Sequence, residues 1–101
     1  MIPFFGKFFE KKSDLQLALK NGAVIIDVRS PFEFDAGHIK GSKNIPLENL
    51  KVRVNEIKQY NKPVVIVCQN GIRSSTAQTF LKGKGVPVYN GGAWTNLNKI
   101  I

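Results

Sequence analysis

Two runs of apolar, mostly β-branched residues constrain this chain more than anything else in it. They are Ala23-Val24-Ile25-Ile26-Asp27-Val28 and Val64-Val65-Ile66-Val67-Cys68. Strands with one wet face alternate apolar and polar residues, whereas continuous runs of this kind mark strands covered on both faces. Helical patterns surround them. Ser13 or Asp14 can cap a short helix through Leu15, Leu17, Ala18 and Leu19 that stops at Asn21-Gly22. Ser30 caps a helical turn with Pro31 in its first position, and Gly37 closes it. Asn44-Ile45-Pro46 reads as a short strand. Leu47, Leu50, Val54 and Ile57 fall at helical spacing and predict a helix over 47–59. The stretch from Arg73 to Lys82 predicts another, with Ala77, Phe80 and Leu81 inward. Val86 to Tyr89 is a last short strand, Gly91-Gly92 a turn, and Trp94 to Ile100 a final helix. Strands alternating with helices imply an α/β fold, a parallel sheet with helices on both faces. Such sheets bind ligands at the carboxyl ends of their strands.

Composition narrows the class. The 101 residues are enough for one domain and too few for two. A single cysteine excludes an intrachain disulfide and any Cys-clustered metal site, and nothing calls for a metal or a cofactor. The net charge is +8, unevenly spread: residues 1–56 hold nine basic and seven acidic side chains, residues 57–101 six basic and no acidic ones. An anionic ligand is therefore expected near the half that carries the cysteine. The lysines are scattered without an aromatic-basic ladder, which argues against nucleic acid. Residues 1–11 form a Phe-rich segment ahead of a domain over 12–101. Phe4, Phe5, Phe8 and Phe9 are expected to pack over the domain edge or a partner. The apolar start breaks at Gly6-Lys7, so it reads as neither a secretory signal nor a membrane span, and a cytoplasmic monomer is the expectation.

Cys68 ends the most apolar strand, and Gln69-Asn70-Gly71-Ile72-Arg73-Ser74-Ser75 leads from it into a helix. A loop between strand and helix can turn its N–H groups inward as an anion nest, and the helix start adds its positive end. Gly71 permits a backbone conformation that other residues resist. Arg73 contributes a permanent cation. All of these favour thiolate over thiol, so Cys68 is expected to be a nucleophile of lowered pKa.

The segment CQNGIRSS following VVIV resembles the active-site loop of the rhodanese family. The upstream stretch VIIDVRSPFEFDAGHIKGSKNIP resembles that family's other signature, and the likeness spans roughly residues 12–97. The resemblance implies a central, mainly parallel five-stranded sheet. It implies a cysteine that takes up sulfane sulfur from a donor such as thiosulfate, as a persulfide, and passes it to a thiol or cyanide. Cys68 would be the carrier, with Gln69, Asn70, Gly71, Ile72, Arg73 and Ser74 as the cradle for its outer sulfur. The loop from Cys68 to Arg73 has six residues. Related phosphatases carry a longer loop that fits a tetrahedral phosphate, so phosphoryl transfer is disfavoured. Rhodanese-like domains also serve as sulfur-relay acceptors or regulatory modules with little turnover, and a relay protein is then the expected partner.

Asp27 and Arg29 lie on the same rim as Cys68 and are expected to act as scaffold, because charges near a core need partners. Glu33 reads as an ion-pair partner, not a base. His38 is the only histidine, and the family's chemistry does not require one. Gln69 stands where many active members have a basic residue. Trp94, after Gly91-Gly92-Ala93, is expected to anchor the last helix.

Overall fold

Helices and strands alternate from α1 (Lys12–Lys20) through β1 (Val24–Asp27), α2 (Pro31–Ala36) and β2 (Lys43–Asn44) to α3 (Leu50–Gln59). There follow β3 (Val64–Cys68), α4 (Ile72–Gly83), β4 (Val88–Ala93) and α5 (Trp94–Asn98). The structure, a computed structural model, describes residues 10–101, so the four phenylalanines at the start lie outside the described residues. All strand pairs are parallel, in the order β2-β1-β3-β4. The α/β architecture is as expected. The strand count is four among the described residues, against five implied by the resemblance.

β3 shows why its sequence is continuously apolar, since all five of its residues are buried. Val64, Ile66 and Cys68 join one core cluster with Ile57 of α3 and with Ala77 and Leu81 of α4. Val65 and Val67 join the other, with Leu15 and Ala18 of α1 and Leu97 of α5. Successive strand side chains point to opposite faces, so helices on both faces require both sets to be apolar. This alternation puts Cys68 on the α3/α4 side, next to the start of α4.

Local chemistry sets the element ends. Ser30 and Glu33 form a reciprocal capping box at the start of α2, with Pro31 in the first turn. Ser13 and Asp14 do not cap α1. That helix begins two residues earlier than a Ser13 cap would place it, with Lys11 at its N-cap and no side-chain cap bond, and Asp14 sits in the first turn, where the helix dipole favours it. The helix predicted over 47–59 divides into a 3-10 turn, Leu47–Asn49, and α3. Gly91-Gly92 does not end the last strand, because β4 runs on to Ala93 through a bulge. Ile66 pairs with Asn90 and Val67 with Gly92, leaving Gly91 as the extra residue. A Cβ on Gly91 would lie 2.8 Å from Val65 Cγ1 and 2.9 Å from Val67 Cγ1, so only glycine fits the bulge.

Candidate active site

The loop after β3 closes on the sulfur of Cys68. Gly71 donates its N–H to Sγ at 3.0 Å and Ser74 donates its N–H at 3.3 Å. Ser74 Oγ lies 3.4 Å from the same sulfur. Gly71 is the N-cap of α4 with φ +90°, the left-handed conformation expected there, and this turns its N–H inward. Asn70 closes the turn by accepting the Ile72 N–H on Oδ1 at 3.1 Å. Cys68 and Ser74 are fully buried, while Gln69, Asn70 and Ile72 are exposed.

Burial pushes the Cys68 thiol up. The Ser74 hydroxyl and the amides of Ser74, Asn70 and Gly71 outweigh it, and the net shift is downward. The cause is hydrogen bonding to the charged form, reinforced by the amino end of the twelve-residue α4. The arrangement suits a nucleophilic thiolate with an anion cradle.

Arg73 does not enter the cradle as a lone cation. Its Nη1 and Nη2 donate to Glu33 Oε1 and Oε2 at 2.8 and 2.9 Å. The Arg73 hydrogen bonds, together with the Ser30 amide, hold the Glu33 carboxyl at a pKa of about 2. Glu33 thereby caps α2 and anchors α4 with one side chain.

Asp27 and Arg29 form a separate, buried ion pair with Arg29 Nη2 2.7 Å from Asp27 Oδ2. Arg29 also donates to the carbonyls of Glu33 and Gly37, at 3.2 and 2.7 Å, and lies 4.8 Å above the Trp94 ring. Asn44 donates to the carbonyls of Asp27 and Arg29. These contacts tie α2, β2 and α5 to the end of β1. Neither Asp27 nor Arg29 hydrogen-bonds to Cys68 or its loop. His38 is exposed, with Nδ1 2.8 Å from the Phe34 carbonyl and its ring stacked on Phe34, and it makes no contact with the sulfur.

One buried polar residue escaped the sequence reading. Asn90 Oδ1 accepts the Ser74 hydroxyl at 2.7 Å, behind the sulfur. A polar residue just ahead of a glycine pair at a strand's carboxyl end was the available sign. Reading a turn at Gly91 hid it.

A depression of about 300 Å³ opens beside the loop, lined by Phe32, Gly37, Gln69, Trp94 and Thr95 among others. Another, of about 370 Å³, lies against Lys58, Lys62 and Lys84 near Pro87, at the amino end of β3 and away from the cysteine. Lys58, Lys62, Lys82, Lys84 and Lys99 are all exposed, as solvated side chains should be.

The family described as "Rhodanese-like domain" matches residues 11–96. The chain belongs to the rhodanese-like domain family. An uncharacterized Bacillus subtilis protein, YqhL, is 52% identical to this rhodanese-like domain over 69 residues, covering 67% of this chain and 54% of the relative. The thiosulfate sulfurtransferase GlpE of Pseudoalteromonas translucida is 37% identical over 71 residues, covering 70% of this chain and 67% of GlpE. A solved rhodanese with anions from E. coli superposes with a TM-score of 0.68 at 31% identity, covering 74% of this chain and 91% of that one. The chain thus spans between half and two thirds of the two curated relatives. No helix among the described residues is long and apolar enough to cross a membrane.

Proposed function

We propose that this domain is a sulfurtransferase working through a persulfide on Cys68. The observation that carries the reading is a buried sulfur at the carboxyl end of a central strand, with the N–H groups of Gly71 and Ser74 aimed at it. The Cys68 thiolate attacks the sulfane sulfur of thiosulfate or a similar anionic donor. A Cys–S–S bond forms, the donor's S–S bond breaks, and sulfite leaves with the bonding electrons. The outer sulfur bears the negative charge, and the loop amides stabilise it. An acceptor thiolate or cyanide then attacks that sulfur and releases the Cys68 thiolate. With one cysteine in the sequence, discharge is onto another molecule. A cytoplasmic setting, which keeps a lone thiol reduced, suits this chemistry.

The same loop supports a second reading as a sulfur-relay module. Arg73 is neutralised by Glu33, Gln69 is uncharged, and Phe32 and Ile72 near the loop are 85% and 69% exposed. Such a surface favours delivery from a protein donor over capture of a small dianion. The test is incubation with thiosulfate, intact mass measurement, and assay of thiocyanate after adding cyanide. The expected result is a gain of one sulfur and thiocyanate turnover, both lost in Cys68→Ser. Loading only from a partner desulfurase, without thiocyanate, selects the relay. No loading from either donor overturns both readings.

A further inference from the structure

Ser74 has one hydroxyl proton and two groups within reach that can accept it. On one side is Cys68 Sγ at 3.4 Å, and on the other is Asn90 Oδ1 at 2.7 Å. The Asn90 amide has its orientation set by its other partners. The Gly92 N–H can only donate, and it meets Oδ1 at 2.9 Å, while Nδ2 donates to Ser75 Oγ at 2.8 Å. The Asn90 backbone N–H is held in turn by Glu10 Oε2 at 3.1 Å. Cys68 and Ser74 are fully buried and Asn90 is 5% exposed, so the two bonds open to the Ser74 hydroxyl are shielded from solvent.

We propose that Asn90 is a positioning residue that competes with the Cys68 sulfur for the Ser74 proton and so sets which form of the cysteine the loop favours. With Cys68 protonated, its S–H donates to a lone pair of Ser74 Oγ, and the Ser74 proton rests on Asn90. When Cys68 gives its proton to solvent, the Ser74 hydroxyl rotates, leaves Asn90 Oδ1 and donates to the thiolate. Asn90 Oδ1 keeps the Gly92 N–H and is not orphaned. The bulge at Gly91 makes this possible, since it leaves Asn90 on the α4 side of β4 with the Gly92 amide turned back onto its side chain.

The inference builds on the reading of Cys68 as the reactive group, but its test needs no sulfur donor, so the two can fail separately. Thiolate ultraviolet absorbance is followed against pH, with the Cys68→Ser spectrum subtracted to remove the tyrosines. The other charged groups nearby are the Asp27–Arg29 pair at the end of β1, the Glu33–Arg73 pair between α2 and α4, and Glu10 on the backbone of Asn90. They are the same in every variant compared. Asn90→Ala removes the competing acceptor, so the midpoint should fall by roughly half to one pH unit, the value of one hydrogen bond. In a Ser74→Ala background the same substitution should leave the midpoint unmoved. An unchanged midpoint, or an equal shift in both backgrounds, overturns the proposal. Should Asn90→Ala fail to fold by thermal melting, the isosteric Asn90→Asp is read instead. It should raise the midpoint more with Ser74 present than with Ala there, and an equal rise would mean charge alone and overturn the proposal too.

Discussion

Glu33 and Arg73 are 40 residues apart in the chain, yet the guanidinium of one grips both carboxylate oxygens of the other, at 2.8 and 2.9 Å. Fork-on-fork pairing of this kind fixes direction as well as distance. It sets the start of α4, and with it the cysteine loop, against the start of α2. Glu33→Gln should lower unfolding stability by about 1–2 kcal/mol, a figure that combines a partly exposed ion pair with a weakened cap. Urea titration of the two proteins measures this, and equal midpoints would contradict it.

The same carboxyl predicts an acid limit. Glu33 has its pKa depressed from 4.5 to about 2 in the fold. Its stabilising contribution is therefore complete above the unfolded value and is lost as pH falls through the folded one. Stability of the native chain should decline between pH 4.5 and about 2 more steeply than that of Glu33→Gln. Parallel pH–stability curves for the two would refute this.

Ser74→Ala removes a hydroxyl that stabilises the Cys68 thiolate. A hydrogen bond to a charged group is worth about 1.5 kcal/mol or more, so the thiolate midpoint should rise by about one pH unit. The pH profile of sulfur loading from thiosulfate should shift with it, the rate recovering as pH is raised. A loss that high pH does not rescue would point to damaged geometry instead.

Gly91→Ala and Gly83→Ala should differ in sign. The added methyl at Gly91 runs into Val65, Val67 and the Ile66 carbonyl, within 2.8 to 3.1 Å. The expected cost is about 1–3 kcal/mol. At Gly83, the last residue of α4, nothing lies within 4 Å of the new methyl, and alanine should stabilise by up to about 1 kcal/mol. Thermal melts of the pair decide it.

Asp27→Ala leaves Arg29 buried without its countercharge. Breaking such a pair from one side costs about 3–5 kcal/mol, a large share of a small domain's stability. Because the pair holds α2, β2 and α5 and not the sulfur, loss of sulfur loading in this variant should track the unfolded fraction seen by circular dichroism. Loss of loading in a fully folded variant would show a direct role.

The sequence by itself determined the layers and the chemical centre. The runs at 24–26 and 64–68 are continuously apolar because helices cover both faces, and that pattern is local enough to read directly. The Ser30 cap, the need for glycine at 71 and the place of Cys68 at a strand end also depend only on neighbours within a few residues. What tertiary structure alone decided is which polar groups meet. Arg73 carries a charge wherever it sits, but only folding shows that Glu33 neutralises it. Asn90 looks like a turn residue until the bulge at Gly91 carries the strand past it and puts its amide behind Ser74. The physical reason is range. Propensity and capping act over a turn of chain, whereas a buried hydrogen bond is satisfied by whatever donor or acceptor the packing brings within 3 Å, however distant in sequence.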